Sequence, residues 1–318
     1  MKYSDTNAPG FAALLASGRP ILIDGGLATQ CEAMGCNIDG ELWSAKLLTS
    51  NPRAIVNAHR AYLDAGAEII ATASYQASRA GLVATGLSSA DADALIVSSV
   101  ALAAQARDEF RHDNPETDRV PLIAASIGPY GAVLHDGSEY TGHYDISANE
   151  LRDFHRERLE LLDQSEADVL ACETIPSADE AFVLGELLRN AQKQSWVSFS
   201  CRDEQHISDG TLIADAAALF RDHPTVIAIG VNCTAPHLIL PIIEVLRSAA
   251  PEKSIVVYPN SGETYDADDN SWSGTATEFQ CERSAQEWIE AGANLVGGCC
   301  RIGPNQIAAM AQCAALTR

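Results

Sequence analysis

Three cysteines fall at the ends of two apolar segments. Cys233 closes VIAIGVNC (226–233), and Cys299 and Cys300 close NLVGGCC (294–300). Neighbouring side chains on an extended strand point to opposite faces, so Cys299 and Cys300 can share a task only where the chain leaves its strand. Gly297 and Gly298 precede them and permit a turn where a β-carbon would obstruct it. Thiolates from Cys233, Cys299 and Cys300 form a soft donor set suited to Zn2+, and a fourth position left open would make such a site catalytic. No C-x-x-C signature supports the set, so a buried small hydrophobe remains the alternative for each thiol. Cys172, Cys281 and Cys313 are read as buried hydrophobes outright. Cys31 and Cys36 are expected as free thiols in the loop after the first apolar segment, and Cys201 ends a segment without an obvious ligand partner.

Two carboxylates occupy comparable positions. Asp24 lies at the end of PILIDGG (20–26) and Glu173 at the end of DVLACET (168–174). Either is compatible with a helix cap or an ion pair. As a pair they could instead bind an ammonium group, while Gly25 and Gly26 offer backbone N–H groups to a carboxylate. Together these describe a pocket for a free amino acid. Tyr75, at the end of EIIATASY (68–75), either brings a phenolic oxygen near the metal or packs as a loop aromatic.

The elements that must position these residues follow from the hydrophobic pattern. PLIAASIGP (121–129), WVSFSC (196–201) and SIVVYPN (254–260) join the segments already quoted, giving eight apolar runs, each followed by a helical stretch. Near-continuous Val, Ile, Leu and Ala suits parallel strands buried on both faces. Asn51-Pro52 starts a helix that Gly66 stops, SANE (147–150) and SADE (177–180) read as capping boxes, and Gly303-Pro304 opens the last helix. Pro241 should strain or kink a helix beginning near Pro236. The polar segment 261–279 reads as a long loop after the seventh strand. Eight strand–helix units predict a single-domain (β/α)8 barrel over 1–318. A doubly wound sheet is the weaker alternative, because no G-x-G-x-x-G follows the first strand. In a barrel the active site lies at the carboxyl ends of the strands, where Asp24, Tyr75, Ser126, Glu173, Asn232, Cys233, Asn260, Cys299 and Cys300 would ring one mouth.

Composition narrows the partners. A formal charge of −22 over 318 residues argues against nucleic acid or an anionic membrane; it is compatible with cationic ligands but reads first as a solubilising surface. No apolar run approaches the roughly 20 residues that span a bilayer, and the start MKYSDTNAPG has no signal core, so the cytoplasm is expected. Nine cysteines cannot all pair, which favours reduced thiols or metal ligands over a disulfide framework. The lysines, at positions 2, 46, 193 and 253, do not end a strand, which argues against Schiff-base chemistry. A phosphate-binding barrel using GGCCRIGP (297–304) and Arg301 remains the rival reading, although it leaves the cysteine pair unexplained.

VNCTAP around Cys233 and GGCCRIGP downstream resemble the zinc-binding pattern of homocysteine S-methyltransferases. The similarity extends to ILIDGGLATQ, LWSAKLL, TASYQAS, SIGPYGAVLHDGSEYTG, CETIPS and YPNSGETYD, nearly the whole chain. The long GPYGAVLHDGSEYTG segment resembles the stand-alone enzymes that use S-methylmethionine or S-adenosylmethionine. The resemblance implies a (β/α)8 fold, zinc on Cys233, Cys299 and Cys300, and homocysteine bound by Asp24 and Glu173 with Gly25 and Gly26 near its carboxylate. It implies that Tyr75 caps the metal before substrate arrives, and it gives Cys31 and Cys36 no role. The implied reaction is methyl transfer from a sulfonium to the homocysteine thiol, delivered as thiolate by the metal, with methionine as product. S-methylmethionine is the first expectation for the donor and S-adenosylmethionine the second; a selenol could replace homocysteine.

Overall fold

The apolar runs become strands with two buried faces. The computed structural model describes residues 10–38, 46–134, 136–266, 271–273 and 280–316. Most of the N-terminal stretch MKYSDTNAPG, the start of LWSAKLL, His135 within GPYGAVLHDGSEYTG, and parts of the 261–279 segment therefore lie outside the described residues. The strands are β1 (Ile21–Leu22), β2 (Ile69–Ala71), β3 (Leu122–Ile127), β4 (Val169–Ile175) and β5 (Ser195–Phe199). They continue with β6 (Val226–Asn232), β7 (Ser254–Tyr258), β8 (Thr264–Asp266), β9 (Ser271–Ser273) and β10 (Leu295–Val296). Eight of them form one parallel sheet in the order β1-β10-β7-β6-β5-β4-β3-β2. A parallel bridge between Ile23 and Ile69 joins β1 to β2, and the sheet closes as a (β/α)8 barrel.

Side-chain alternation explains why the runs are apolar throughout. Ile21, Ile69, Leu122, Ala124, Val169, Ala171, Trp196, Ala228 and Leu295 fill the barrel interior. Their neighbours Leu22, Ile70, Ile123, Ala125, Leu170, Val197, Ile229 and Val296 pack outward beneath the helices. Both faces are therefore dry. The helix Phe11–Ala16 contributes Phe11 and Leu14 to the interior cluster, with the Phe11 ring 5.8 Å from Trp196. It covers the amino ends of the strands, opposite the mouth.

Several local expectations hold and several are corrected. Pro52–Asp64 is helical, and Gly66 follows at φ +114, where a glycine is favoured. Ser147 and Glu150 form the full capping box. At SADE only half forms: Ser177 accepts from the Glu180 N–H, but the Glu180 carboxylate turns inward to the Tyr130 N–H, the Tyr144 hydroxyl and His155. Pro241 kinks nothing. The chain makes a 3-10 turn at Pro236–Leu238 and begins a fresh helix at Ile239–Ala249, so Pro241 falls in the first turn, where its missing N–H would go unbonded anyway. The segment after β7 contains the antiparallel hairpin β8–β9 rather than loop alone. Cys31 lies buried on the helix Leu27–Ala33, not in a loop. No helix among the described residues is long and apolar enough to cross a membrane.

Candidate active site

The chain leaves β10 after Val296 and turns back at Cys299, with the Ile302 N–H donating to the Cys299 carbonyl at 3.1 Å. Arg301, in the third position of that turn, takes φ +67. The left-handed residue is thus Arg301, not either glycine. Gly297 and Gly298 serve close approach instead. A β-carbon on Gly297 would lie 2.4 Å from the Ile23 side chain, and one on Gly298 would lie 2.1 Å from the Ile302 side chain. Gly25 and Gly26 make room from the other side, since β-carbons there would meet the Ile302 and Cys299 carbonyls at 2.3 and 2.8 Å. The Gly26 N–H is spent on the Ile302 carbonyl, so that amide is not available to a ligand.

Cys233 follows β6 at φ +48 and aims its sulfur at the same point. Its Sγ lies 3.5 Å from that of Cys300, which is 4.0 Å from that of Cys299, and all three lie within 4.8 Å of one another. Asn232 Nδ2 donates to the Cys299 sulfur at 3.8 Å, while its Oδ1 accepts from Ser198 Oγ and the Thr174 N–H. Hydrogen bonds from Cys299, then Cys300, hold the Cys233 thiol well below its ordinary value; the same contacts push Cys299 and Cys300 up. Three sulfurs this close cannot all ionise unless a cation offsets them. The donor set fits a soft divalent metal.

Asp24 and Glu173 are both buried beside this group. Asp24 Oδ2 accepts from the Ala71 N–H at 2.8 Å, and burial raises its carboxyl well above the usual range. Glu173 accepts from the Ser126 hydroxyl and, at 2.9 Å, from the Tyr258 hydroxyl. Burial is the main cause that pushes Glu173 up to about 7. Both carboxylates, the three cysteines, Gly25, Gly26 and half-buried Tyr75 line one cavity of about 970 Å³, open solvent at its mouth included.

A family model for homocysteine S-methyltransferase matches residues 21–314. The chain belongs to the homocysteine S-methyltransferase family. It is 48% identical over 290 residues to homocysteine S-methyltransferase YbgG of Bacillus subtilis, covering 90% of this chain and 92% of that one. It is 45% identical over 302 residues to the homocysteine S-methyltransferase of Escherichia coli, covering 94% and 96%. The metallated form of the homocysteine methyltransferase MmuM from Escherichia coli superposes with a TM-score of 0.85 at 43% identity, covering 94% of this chain and 98% of that one.

Within this member of the homocysteine S-methyltransferase family, the phosphate-binding alternative finds no cradle. The N–H groups of Gly297, Gly298, Cys299 and Arg301 donate to Val257, Asp24, Pro259 and Thr29 respectively. Arg301 is ion-paired with Glu263 at 3.2 Å, and the cavity lining otherwise carries the carboxylates of Asp24, Glu32, Glu139 and Glu173. Cys201 stands outside the three-sulfur group.

Sequence reasoning missed two residues in the segment after β3. Tyr140 lines the cavity close to Cys233, and Tyr75 lines it close to Thr174. Glu139 lines the cavity beside it. Both stand in GSEYTG, within the resembling segment, but on a 3-10 turn that no hydrophobic period announces. Arg158 was missed as well: wholly buried, it donates to the carbonyls of Tyr75 and Gly128 and braces that wall.

Proposed function

We propose that Cys233, Cys299 and Cys300 hold Zn2+ and that the protein transfers a methyl group from a sulfonium donor to the thiol of L-homocysteine, giving methionine. The observation that carries this reading is the convergence of three sulfurs within 4.8 Å at a cavity that also holds two buried carboxylates. Bound zinc supplies a Lewis acid that lets the substrate thiol, with an ordinary value near 8.5, react as a thiolate at neutral pH. The protein's residues do the remaining work. Asp24 and Glu173 receive the homocysteine ammonium, and the Ser126 and Tyr258 hydroxyls fix the orientation of Glu173. The homocysteine carboxylate lies along the Gly25–Gly26 wall, nearest Gly25, because the Gly26 amide is engaged. Asn232 orients the Cys299 sulfur, and Tyr75 closes the cavity over the reacting atoms. Alignment of two bound substrates is then the main catalytic device.

S-methylmethionine is the donor we favour, with S-adenosylmethionine second. One homocysteine-binding barrel spans 1–318, and reduced thiols at the site suit a cytoplasmic setting. The test is a competition between the two sulfonium donors in one assay with homocysteine, metal content being measured on the same preparation. Methionine formation by protein carrying about one zinc per chain is expected. A zinc-loaded protein that makes no methionine from either donor would refute the reading.

A further inference from the structure

The cavity holds a third buried carboxylate that homocysteine does not explain. Glu139 is 7% exposed, and its Oε2 is buried without a hydrogen-bond partner. Asp24 and Glu173 differ, being held by the Ala71 N–H and by the Ser126 and Tyr258 hydroxyls. An unpartnered buried carboxylate oxygen is costly, and in a binding cavity it points to a ligand that satisfies it. The cavity's own guanidinium, Arg301, is taken up by Glu263. Tyr75 and Tyr140 line the same cavity, Tyr140 on its Cys233 side. Gly131 lets the Glu139 backbone pack against it: a β-carbon there would lie 2.4 Å from the Glu139 amide nitrogen.

We infer that Glu139, with the rings of Tyr75 and Tyr140, is the recognition site for the positively charged sulfur of the methyl donor. This rests on the methyl-transfer reading above and adds a residue to it. Asp24 and Glu173 account for the ammonium of homocysteine; the donor brings an ammonium of its own and a sulfonium, and of these the sulfonium must lie on the cysteine side of the cavity to reach the acceptor sulfur. A carboxylate flanked by aromatic faces suits a soft, weakly hydrated cation. In the reaction the thiolate's electron pair forms the new sulfur–methyl bond. The old sulfur–methyl bond breaks with its pair going to the donor sulfur, so thiolate plus sulfonium become two neutral thioethers. The positive charge declines on the way to the transition state, so Glu139 favours bound donor over transition state and releases the neutral product.

The experiment is calorimetric titration of metal-loaded wild type, E139Q and E139D with S-methylmethionine, S-adenosylmethionine, methionine and homocysteine separately. E139Q is expected to lose about tenfold or more in affinity for whichever sulfonium the wild type binds. Homocysteine and methionine should stay within about twofold, and the donor KM should rise while kcat rises rather than falls, because the lost contact favoured the ground state. E139D, which keeps the charge, should retain most of the sulfonium affinity. Tight sulfonium binding retained by E139Q overturns the assignment alone. So does an equal loss for methionine, or a loss in E139D as large as in E139Q. Wild-type protein that binds neither sulfonium overturns both this assignment and the donor reading.

Discussion

Cys233 adopts a backbone angle that side-chain-bearing residues rarely take, φ +48, and Thr174 does the same at φ +60. Each such residue costs on the order of 1–3 kcal/mol, which surrounding contacts must offset, and both flank the site. Asn232, which precedes Cys233, links Thr174 to the sulfur group by accepting from the Thr174 N–H and donating to the Cys299 sulfur. Replacing Cys233, Cys299 or Cys300 by Ala should abolish metal binding and activity with the fold retained, measured by metal content and circular dichroism. Cys281→Ala, on the helix Cys281–Ala291 away from the mouth, should keep both. Asp24→Asn and Glu173→Gln should each weaken homocysteine binding about tenfold or more, since a charged hydrogen bond is worth roughly 1.5–3 kcal/mol. Metal content should stay near normal, and unchanged homocysteine affinity in both would return these carboxylates to a structural role. The three cysteines and two carboxylates were legible because they end apolar runs. Glu139 and Tyr140 were not, because nothing in local periodicity distinguishes a loop residue that folds over a cavity from one that faces water.

Elements carry the site through their ends. Seven of the eight barrel strands deliver residues to the cavity from their carboxyl ends, β5 adding none to its lining, and β4 has a register shift between Cys172 and Ile175 around Thr174. Such a bulge re-aims side chains next to a functional site, and here it falls at Glu173 and Thr174. Gly230, in the middle of β6, shows how closely the strands are set: a β-carbon would lie 1.7 Å from the Val256 backbone carbonyl. Gly230→Ala should therefore cost about 3 kcal/mol or more, read as a lowered denaturant midpoint, and should disturb Cys233 further along the strand. The strands were readable in sequence because burial on both faces imposes apolar character at every position. Their exact extent was not. The run 294–300 contains only two residues of regular strand, Leu295 and Val296, because the glycines that follow bend away to bring the sulfurs together. The SADE motif misled for a related reason: Glu180 had a better-paid partner set inside the core than at its own helix terminus.

For the whole molecule, three of the 43 acidic residues, Asp24, Glu139 and Glu173, line the cavity as buried carboxylates. Burial, then repulsion from Asp136, pushes Glu139 from 4.5 to about 7. The folded protein therefore keeps a proton that the unfolded chain has lost, and stability falls as pH rises from about 4.5 through about 7. E139Q lacks this penalty. It should be more stable than wild type by about 1–3 kcal/mol at pH 8, with the gain vanishing near pH 4, as followed by denaturant unfolding. Binding capacity and stability are thus opposed at one residue. The barrel is also unequal around its circumference. β4 and β6 run seven residues each, whereas β1 and β10 run two, and β1 meets β2 through the single Ile23–Ile69 bridge. Cys233 belongs to the long-stranded side; Cys299 and Cys300 belong to the weak seam. An ion gripped by all three would clasp short β10 to long β6 over the intervening β7, so metal loading should slow amide hydrogen exchange at Leu295–Val296 far more than in β4 or β5.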